Sequence, residues 1–283
     1  MESFTIASYG KINLSLDVLC KRSDGYHEIE TVMKSIDLKD TLILTKQREG
    51  ITIECDNPLV PLDSTNLVYK AYSILSDIYN IKKGVHIKIH KNIPVAAGLA
   101  GGSSNAAATL IGLNELWGLK LSKEELMKIG VQIGADVPFC IMGGTALAKG
   151  IGEKLKTINS TSEHLVLLAK PDIEVSTKDV YNSLNIADIG TRPDMKKMLK
   201  AIEDNDLHRI SDNMVNVLEE VTAKKHSQIQ YLKSEMIKWG AVGSLMSGSG
   251  PTVFGLFQNE KELLQCKSNL EGKVPTLIIT KTI

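Results

Sequence analysis

A glycine- and serine-rich loop between a strand and a helix constrains the fold of this chain most strongly. Residues 85–90 alternate apolar and polar side chains, which predicts a half-buried strand. Residues 94–105 form the loop, and the apolar stretch 105–117 predicts a well-buried helix. Glycine lets the backbone approach an anion closely, and the first N–H groups of a helix have no partners within it. The order strand, loop, helix therefore predicts a phosphate site.

The loop alone leaves two interpretations open. No Gly-Lys-Ser/Thr ends it, and Gly98, Gly101 and Gly102 do not fit the spacing Gly-x-Gly-x-x-Gly, so neither a P-loop nor a dinucleotide fingerprint is present. A glycine turn that only tightens the strand–helix junction explains the same residues. Ser103 and Ser104 add hydroxyls that can cap the helix or hold a phosphate or a metal ion.

Composition limits the class of protein. The 283 residues are enough for two domains. Lysine plus arginine equals aspartate plus glutamate, 33 each, which argues against a nucleic-acid partner. The four cysteines include no Cys-x-x-Cys pair, which is typical of reduced cytosolic thiols. No signal peptide and no apolar run of about 18 residues is visible. We expect a cytoplasmic protein without a membrane partner.

Strands and helices follow one another in irregular order, which favours the α+β class over a doubly wound sheet. The chain changes character near residue 155, because residues 175–240 are more charged and rich in predicted helix. We therefore expect two domains, 1–155 and 156–283, with a ligand cleft between them. A second glycine-serine loop, residues 245–252, leads into a later strand.

Two charged residues are candidates for catalysis if the ligand is a nucleoside triphosphate. Residues 4–18 alternate, so Lys11 and Asn13 share a polar strand face that is either solvated or the wall of a site. A carboxylate such as Asp136 suits a general base. Lys11 can lower the pKa of the attacked hydroxyl and neutralise the migrating charge. A solvated lysine and a turn aspartate are the alternatives.

No metal site is assigned to protein side chains. His86 and His90 share one face of the predicted strand 85–90. Solvent-exposed strand histidines explain this spacing better than a pair of metal ligands does.

Five motifs, spread over almost the whole chain, occur in the order found in the GHMP kinase superfamily, which the chain resembles. This resemblance implies a two-domain α+β fold, with an N-terminal mixed α/β domain that carries a left-handed βαβ-type ATP site and a C-terminal α+β domain. The motifs are Ala7-Ser-Tyr-Gly-Lys-Ile-Asn-Leu14, Arg22-Ser-Asp-Gly-Tyr-His-Glu28, Pro94-Val-Ala-Ala-Gly-Leu-Ala-Gly-Gly-Ser-Ser-Asn-Ala-Ala107, Gly134-Ala-Asp-Val-Pro138 and Ser247-Gly-Ser-Gly250.

The resemblance also implies an activity. The second and fourth motifs look like those of the member that uses ATP with Mg²⁺ to phosphorylate the 2-hydroxyl of 4-diphosphocytidyl-2-C-methyl-D-erythritol in the non-mevalonate isoprenoid pathway. The partners would be this small molecule and ATP, with no nucleic acid and no membrane. The protein would be a monomer or a homodimer.

The resemblance assigns a role to each matching residue. Asp136 would be the catalytic base and Lys11 its charged partner. Tyr26 would stack on the cytosine, His27 would hydrogen-bond the edge of the base, and Tyr181 would be the second aromatic side chain. Asn13 would contact the erythritol part, and Asn66 would lie near adenine. Mg²⁺ would travel with ATP and touch Ser104 or Asp136. The ATP-phosphate loop would consist of Pro94, Val95, Ala96, Ala97, Gly98, Leu99, Ala100, Gly101, Gly102, Ser103 and Ser104.

The loop departs from the family in one respect, because alanine stands at Ala96, Ala97 and Ala100 where glycine is common. Alanine disfavours positive φ. We therefore expect the tight positions to be the three glycines at 98, 101 and 102.

Two other hypotheses remain. One is another enzyme of the superfamily, such as a homoserine, mevalonate or galactose kinase or a diphosphomevalonate decarboxylase. The sequence Tyr26-His27 after Asp24-Gly25 argues against it. The other is a catalytically silent nucleotide- or RNA-binding module, against which the neutral net charge and the presence of both Lys11 and Asp136 weigh.

Overall fold

The structure, a computed structural model, describes residues 2–160 and 162–283. Its strands are β1 (Ser3–Lys21), β2 (His27–Gln47), β3 (Ile51–Cys55), β4 (Gly84–His90), β5 (Thr145–Gly150), β6 (Lys154–Thr157), β7 (Leu165–Lys170), β8 (Gly243–Met246), β9 (Val253–Phe257) and β10 (Thr276–Lys281). Its α-helices are α1 (Leu67–Ile78), α2 (Gly101–Trp117), α3 (Lys123–Val131), α4 (Val137–Met142), α5 (Thr177–Ser183), α6 (Met195–Glu203), α7 (Leu207–Asp212), α8 (Val217–Lys225), α9 (Gln228–Lys238) and α10 (Glu260–Leu270). A short 3₁₀ turn covers Ile186–Asp188.

The chain forms two compact units that interleave along the sequence. The first unit contains the residues up to Gly10 together with Leu38–Val95 and Ala100–Gly143. The second contains Lys11–Asp37, Ala96–Leu99 and Gly144–Ile283. Strands β1 and β2 and the glycine loop each contribute to both units. The predicted domains, 1–155 and 156–283, have other bounds and stay a prediction.

The first unit is built on β4. This strand pairs in parallel with β3 and antiparallel with the C-terminal half of β2. Its alternation is as expected, because Val85, Ile87 and Ile89 are fully buried whereas the histidines and the lysine between them are not. Helices α1 and α2 supply the other buried side chains of this core, among them Leu75, Leu110 and Leu113.

Helix α2 begins earlier than expected. It starts at Gly101, four residues before the predicted start, and Ala100 is its N-cap residue. No side chain caps the helix, so of the alternatives left open for Ser103 and Ser104 the helix cap is wrong. The reason lies in the backbone, because Ala100 adopts a left-handed conformation (φ 57°) and turns the chain directly into the helix. The first-turn N–H groups therefore stay available to a ligand.

The second unit combines antiparallel strands with helices. The N-terminal half of β2 pairs with β5, and β5 pairs with β6. A separate four-stranded antiparallel sheet has the order β10-β7-β9-β8. Helices α8, α9 and α10 pack on it around buried side chains such as Leu167, Met236 and Leu263. Mostly antiparallel strands and separate helices confirm the α+β class.

Within the described parts of the chain, no helix is both long and apolar enough to cross a lipid bilayer.

Candidate active site

The buried carboxylate of Asp40 holds both ends of the glycine loop in the first unit. Its Oδ1 atom accepts the backbone N–H groups of Asn92 (2.7 Å) and Ile93 (2.8 Å), just before the loop. Its Oδ2 atom accepts Lys91 Nζ (2.5 Å) and, from the first turns of α2, Asn105 Nδ2 (2.8 Å). The carboxylate has no solvent exposure. One side chain thus fixes where the loop leaves β4 and where it enters the helix.

The backbone of the loop turns at residues other than those expected. Positive φ occurs at Ala96 (51°), Gly98 (73°) and Ala100 (57°), and not at Gly101 or Gly102. The expectation that alanine would avoid such positions is wrong for two of the three alanines. A left-handed conformation costs a non-glycine residue about 1–2 kcal/mol, which the contacts at the two ends of the loop must offset.

Three glycines of the loop have different structural roles. A Cβ atom at Gly98 would overlap the carbonyl oxygen of Ser247 and lie 2.9 Å from that of Gly250, so the site has no room for a side chain. A Cβ atom at Gly101 would lie 2.9 Å from Lys91 Nζ. At Gly102 the nearest atom would be 3.7 Å away, which is an ordinary contact. Steric contacts restrict the first two positions to glycine, whereas Gly102 is exposed and has room for a side chain.

The two serines at the start of α2 have separate environments. Ser104 is 2% exposed, and its hydroxyl donates to the Tyr9 carbonyl (2.6 Å) and contacts Ser8 Oγ (2.7 Å). These bonds join α2 to β1 inside the first unit. Ser103 is only half-buried, so its hydroxyl is the more accessible of the two.

Asp136 is the N-cap residue of the short helix α4, and its side chain makes no capping hydrogen bond. It is half-buried in the first unit. Gly134, two residues earlier, faces the start of α2, because a Cβ atom there would lie 3.9 Å from Ser103 Oγ. The carboxylate of Asp136 and the uncapped N-terminus of α2 therefore lie in neighbouring parts of this unit.

Lys11 lies on a buried strand face in the second unit, so the solvated alternative is wrong. The residue is 4% exposed. Its Nζ atom donates to Asn13 Oδ1 (2.7 Å) and to the Gly98 carbonyl (3.3 Å). Asn13 in turn donates to Thr31 Oγ1 (2.9 Å). A buried ammonium needs such partners, because burial without them is costly. The polar face of β1 is thus buried and hydrogen-bonded at Lys11 and Asn13.

The second glycine-serine loop meets the first at the Gly98 carbonyl. Ser247 Oγ donates to this oxygen at 2.9 Å, so it accepts from both Ser247 and Lys11. Gly248 (φ 58°) comes so close that an added Cβ atom would lie 3.6 Å from Lys11 Nζ and 3.5 Å from Asn13 Oδ1. The sequence showed this loop as a motif but assigned no site residue in it.

Helix α8 supplies three site-supporting residues that the sequence interpretation missed. Asn216, Glu219 and Thr222 are at most 7% exposed, and each bonds the backbone of the segment Met246–Ser249. The signal was present as polar residues three apart in a helix with buried apolar neighbours. It could not be interpreted without knowing which loop lies opposite.

The hairpin between β1 and β2 presents Tyr26. Arg22 pairs with Asp24 (2.8 Å) and Glu28 (3.0 Å), and the backbone N–H of Tyr26 donates to Asp24 Oδ1 (3.1 Å). The hydrogen bond that Arg22 donates to Asp24 lowers the pKa of Asp24 and raises the pKa of Arg22. Gly25 takes a positive φ of 87° in the turn. Tyr26 is 59% exposed.

The rings of His27 and Tyr181 lie next to each other. Their ring centroids lie 5.1 Å apart at 34°, which joins the start of β2 to α5 within the second unit. His27 is 8% exposed. Burial, with a smaller contribution from the charge of Lys21, lowers the pKa of His27 below its ordinary value. The imidazole is therefore neutral at pH 7, with one nitrogen that donates and one that accepts.

The polar face of β1 continues past Asn13 to two residues covered by one segment. Asp17 Oδ1 accepts Arg192 Nη1 (2.6 Å), and Ser15 Oγ contacts Met195 Sδ (3.3 Å). Burial raises the pKa of Asp17, although Arg192 opposes this. This pair fastens the connection that follows Tyr181 to the strand that carries Lys11.

Asn66 acts as a structural residue in the first unit. Its Oδ1 atom caps α1 by accepting from Val68 N (2.9 Å), and its Nδ2 atom donates to the Pro61 carbonyl (2.6 Å). The expected contact with adenine stays a prediction.

His86 and His90 each face a single carboxylate. The pairs are His86–Glu54 (3.2 Å) and His90–Asp56 (3.1 Å). Over the described residues, no group of three or more metal-ligating side chains comes together.

Similarity to known proteins agrees with this geometry. The family described as GHMP kinases N terminal domain matches residues 66–144, and the GHMP kinases C terminal family matches residues 198–275. A 4-diphosphocytidyl-2-C-methyl-D-erythritol kinase of Clostridium novyi (strain NT) is 51% identical, with 98% of this chain and 99% of the relative covered. The chain belongs to this family of GHMP kinases.

Solved structures separate fold from function. A crystal structure of 4-(cytidine 5'-diphospho)-2C-methyl-D-erythritol kinase superposes with a TM-score of 0.83 at 28% identity, and 99% of each chain is covered. A homoserine kinase from Cytophaga hutchinsonii superposes with a TM-score of 0.80 at 19% identity, covering 100% of this chain and 95% of its own. The second likeness shows the shared fold alone. The chain is thus an ATP-dependent kinase with a small-molecule substrate, and the silent binding module is not favoured.

The lowered pKa of His27 predicts a pH effect. Between the pKa of the folded state and the ordinary value of about 6.5, the unfolded chain binds more protons at this residue, so stability rises with pH. The His27→Asn variant cannot take up this proton. We expect the free energy of unfolding of the wild type to fall relative to that of the variant as the pH drops below about 6.5. Urea unfolding at several pH values measures this difference.

The control for this prediction is the imidazole signal itself. An NMR titration of His27 should give a midpoint below about 6.5. A midpoint at or above that value, or a pH-independent difference between wild type and variant, contradicts the prediction.

Asp40→Asn tests the anchor of the loop. The amide offers one oxygen to four donors and leaves the buried Lys91 ammonium without a counter-charge. We expect a loss of about 3–5 kcal/mol in the free energy of unfolding, measured with urea. Asp77→Asn, at an exposed position in the same unit, is the matched control and should change stability by less than about 0.5 kcal/mol. Equal stabilities of the two variants would refute the role of Asp40.

Proposed function

We propose that this kinase transfers the γ-phosphoryl group of ATP to the 2-hydroxyl of 4-diphosphocytidyl-2-C-methyl-D-erythritol, and that the products are the 2-phosphate and ADP. The reaction would be a step of the non-mevalonate isoprenoid pathway. The observation that carries the proposal is the buried Lys11 ammonium, held between Asn13 and the carbonyl of the glycine loop. Phosphoryl transfer needs such positioned charge and little covalent chemistry from the protein.

The glycine loop is the proposed phosphate site. The N–H groups of Gly101, Gly102 and Ser103 open α2, and a helix N-terminus attracts anions through these donors and its dipole. The exposed surface of Gly102 lets a phosphate reach the backbone. Asn66 would act near adenine through the segment that it holds at Pro61.

Mg²⁺ is proposed to arrive with ATP. This ion prefers carboxylate and phosphate oxygens and keeps several waters. Asp136 fits such a donor set, and the Ser103 hydroxyl lies in the same part of the first unit. Ser104 does not fit, because its hydroxyl is buried and donates to the Tyr9 carbonyl. Bound Mg²⁺ would offset the negative charge of the phosphates.

Asp136 and Lys11 have the proposed catalytic roles. The carboxylate would accept the proton of the 2-hydroxyl as that oxygen attacks phosphorus. The ammonium would stabilise the alkoxide character and the charge of the migrating phosphoryl group. No side chain needs to form a covalent intermediate.

The substrate is proposed to lie along the polar face of β1 toward the hairpin. Asn13 would contact the erythritol part, since its amide is fixed by Thr31 and Lys11. Tyr26 would stack on the cytosine, and Tyr181 would complete the aromatic pocket. His27, neutral at pH 7, would hydrogen-bond the edge of the base. A site built to hydrogen-bond one base rejects analogues that lack its polar groups.

ADP release with different acceptors tests the proposed function. We expect turnover with 4-diphosphocytidyl-2-C-methyl-D-erythritol and none above background with homoserine or mevalonate. Turnover of homoserine or mevalonate only would refute the proposal. Assembly as a monomer or a homodimer and a cytoplasmic location remain further proposals.

Asp136→Asn should remove most of the activity and leave ATP binding intact. A general base contributes about 10²–10⁴-fold, so kcat should fall by at least about 100-fold. Steady-state kinetics and calorimetric binding of a non-hydrolysable ATP analogue measure the two quantities. Asp172→Asn, at an exposed position of the second unit, is the control and should keep kcat. Unchanged turnover by Asp136→Asn would exclude Asp136 as the base.

Tyr26→Ala should weaken binding of the cytidyl substrate and spare ATP. Stacking of a base on an aromatic ring is worth about 1–3 kcal/mol, so the KM for this substrate should rise by about 5- to 150-fold. The KM for ATP should stay within about twofold. Tyr231→Ala removes another exposed tyrosine of the same unit as a control. Equal changes in both KM values would reject the assignment of Tyr26 to the cytosine pocket.

A further inference from the structure

One row of buried polar side chains on α8 holds the second glycine-serine loop. Asn216, Glu219 and Thr222 follow one another at intervals of three residues and share a face of the helix. Glu219 Oε2 accepts the N–H of Met246 (2.8 Å), and Thr222 Oγ1 donates to the Ser249 carbonyl (3.2 Å). Glu219 also pairs with Lys233. The loop is thus bound at its start and at its end.

Asn216 makes the central contacts of this row. Its Nδ2 atom donates to the carbonyls of Met246 (2.8 Å) and Gly248 (2.7 Å). Its Oδ1 atom accepts the N–H of Leu218 (3.0 Å) and caps α8. The residue is 5% exposed. Every hydrogen-bonding atom of this amide is therefore used, and two buried loop carbonyls depend on it.

Hydrogen bonds within the loop, from the N–H of Gly250 to the Ser247 carbonyl (2.9 Å) and from the N–H of Ser247 to the Thr252 carbonyl (2.9 Å), shape its turn. Gly248 and Gly250 have no side chains and take positive φ values of 58° and 90°. Glycine has more accessible backbone conformations than other residues, so contacts from outside the turn also determine its position. The amide of Asn216 supplies two of these contacts in a place that solvent does not reach.

The same loop determines where Lys11 lies. Ser247 Oγ and Lys11 Nζ donate to one acceptor, the Gly98 carbonyl. The Cβ position of Gly248 is 3.6 Å from Lys11 Nζ. A displacement of Gly248 therefore changes the packing around the ammonium, and a displacement of Ser247 changes the bonds to the acceptor that both share. Asn216 is connected to Lys11 through Gly248 and through Ser247 with the Gly98 carbonyl.

We propose that Asn216 is a positioning residue for phosphoryl transfer, which sets the location of Lys11 through the loop Ser247–Gly250. The proposal rests on the proposed function, because it assigns Asn216 an effect on the step in which Lys11 acts. Asn216 lies 205 positions from Lys11 in the sequence. Asn216 touches neither substrate in this role.

Two substitutions of Asn216 remove its amide donor but keep an acceptor that can cap α8. Asn216→Ser and Asn216→Asp both keep an N-cap acceptor, because serine and aspartate cap helices about as well as asparagine. Both remove the Nδ2 amide, which donates to the Met246 and Gly248 carbonyls together. Aspartate also places a negative oxygen against them. Having two variants keeps the test valid if one of them does not fold.

The readout is the division of the effect between kcat and KM. A misplacement of about 1 Å can cost about 100-fold in rate. We expect kcat per active site to fall by about 10- to 100-fold, the KM for 4-diphosphocytidyl-2-C-methyl-D-erythritol to stay within about twofold, and kcat/KM to fall in step with kcat. Stoichiometric binding of a non-hydrolysable ATP analogue counts the active sites, so unfolded protein does not enter the rate.

Two matched controls exclude a general loss of stability. Asn259→Ser replaces another N-cap asparagine of the same unit, at the start of α10. Ile229→Val removes one fully buried methyl group from the core next to α8. Both should keep kcat within about twofold, even where the melting temperature falls as far as in the Asn216 variants.

The outcomes distinguish this inference from the proposed function. A wild type without turnover of the cytidyl substrate refutes the proposed function and this inference with it. An active wild type together with Asn216 variants whose kcat per active site is unchanged overturns this inference alone. A rise in KM without a change in kcat also overturns it, since the amide would then serve binding and not the transfer step.

Discussion

The first unit depends on one buried carboxylate. Asp40 accepts four hydrogen bonds, and these come from the residues just before the glycine loop and from the helix just after it. A buried ion pair stabilises a protein only when its remaining hydrogen-bonding capacity is satisfied, and here both oxygens are. Because the ends of the loop are tied to one point, Ala96 and Ala100 are held in left-handed conformations that alanine avoids. The open N–H groups of α2 follow from this geometry.

In the second unit, too, buried polar side chains hold a glycine-rich loop. Gly248 and Gly250 of its glycine-serine loop have no side chains, and the amide of Asn216 and the carboxylate of Glu219 hold the loop from α8 and its N-cap. The Gly98 carbonyl receives Ser247 from one side and the Lys11 ammonium from the other. In both units a glycine-rich segment is held by buried polar side chains that are distant from it in sequence. Glycine-rich segments depend on such contacts because glycine adopts more backbone conformations than other residues.

Some structural features of this protein could be predicted from its sequence and others could not. The alternation of residues 85–90 predicted β4, and the apolar stretch after the loop predicted α2, because burial leaves a periodic pattern. The polar face of β1 was visible, but whether Lys11 was solvated depended on what covers that face. The start of α2 and the positive φ of two alanines were predicted wrongly, because local preferences of about 1 kcal/mol yield to tertiary contacts. Asn216 and Asp40 escaped notice because their partners lie 30 to 65 residues away.

By itself the sequence determined the class of fold and, through five ordered motifs, the kinase family, and it predicted a phosphate loop. These properties are local or follow from residue types in a fixed order, so a linear pattern contains them. Only the tertiary structure decided which glycines are sterically required, which serine hydroxyl is already committed, and which buried side chains hold the two loops. Those decisions depend on hydrogen bonds between distant segments. A buried polar atom must find a partner wherever the fold provides one, and the linear sequence does not name it.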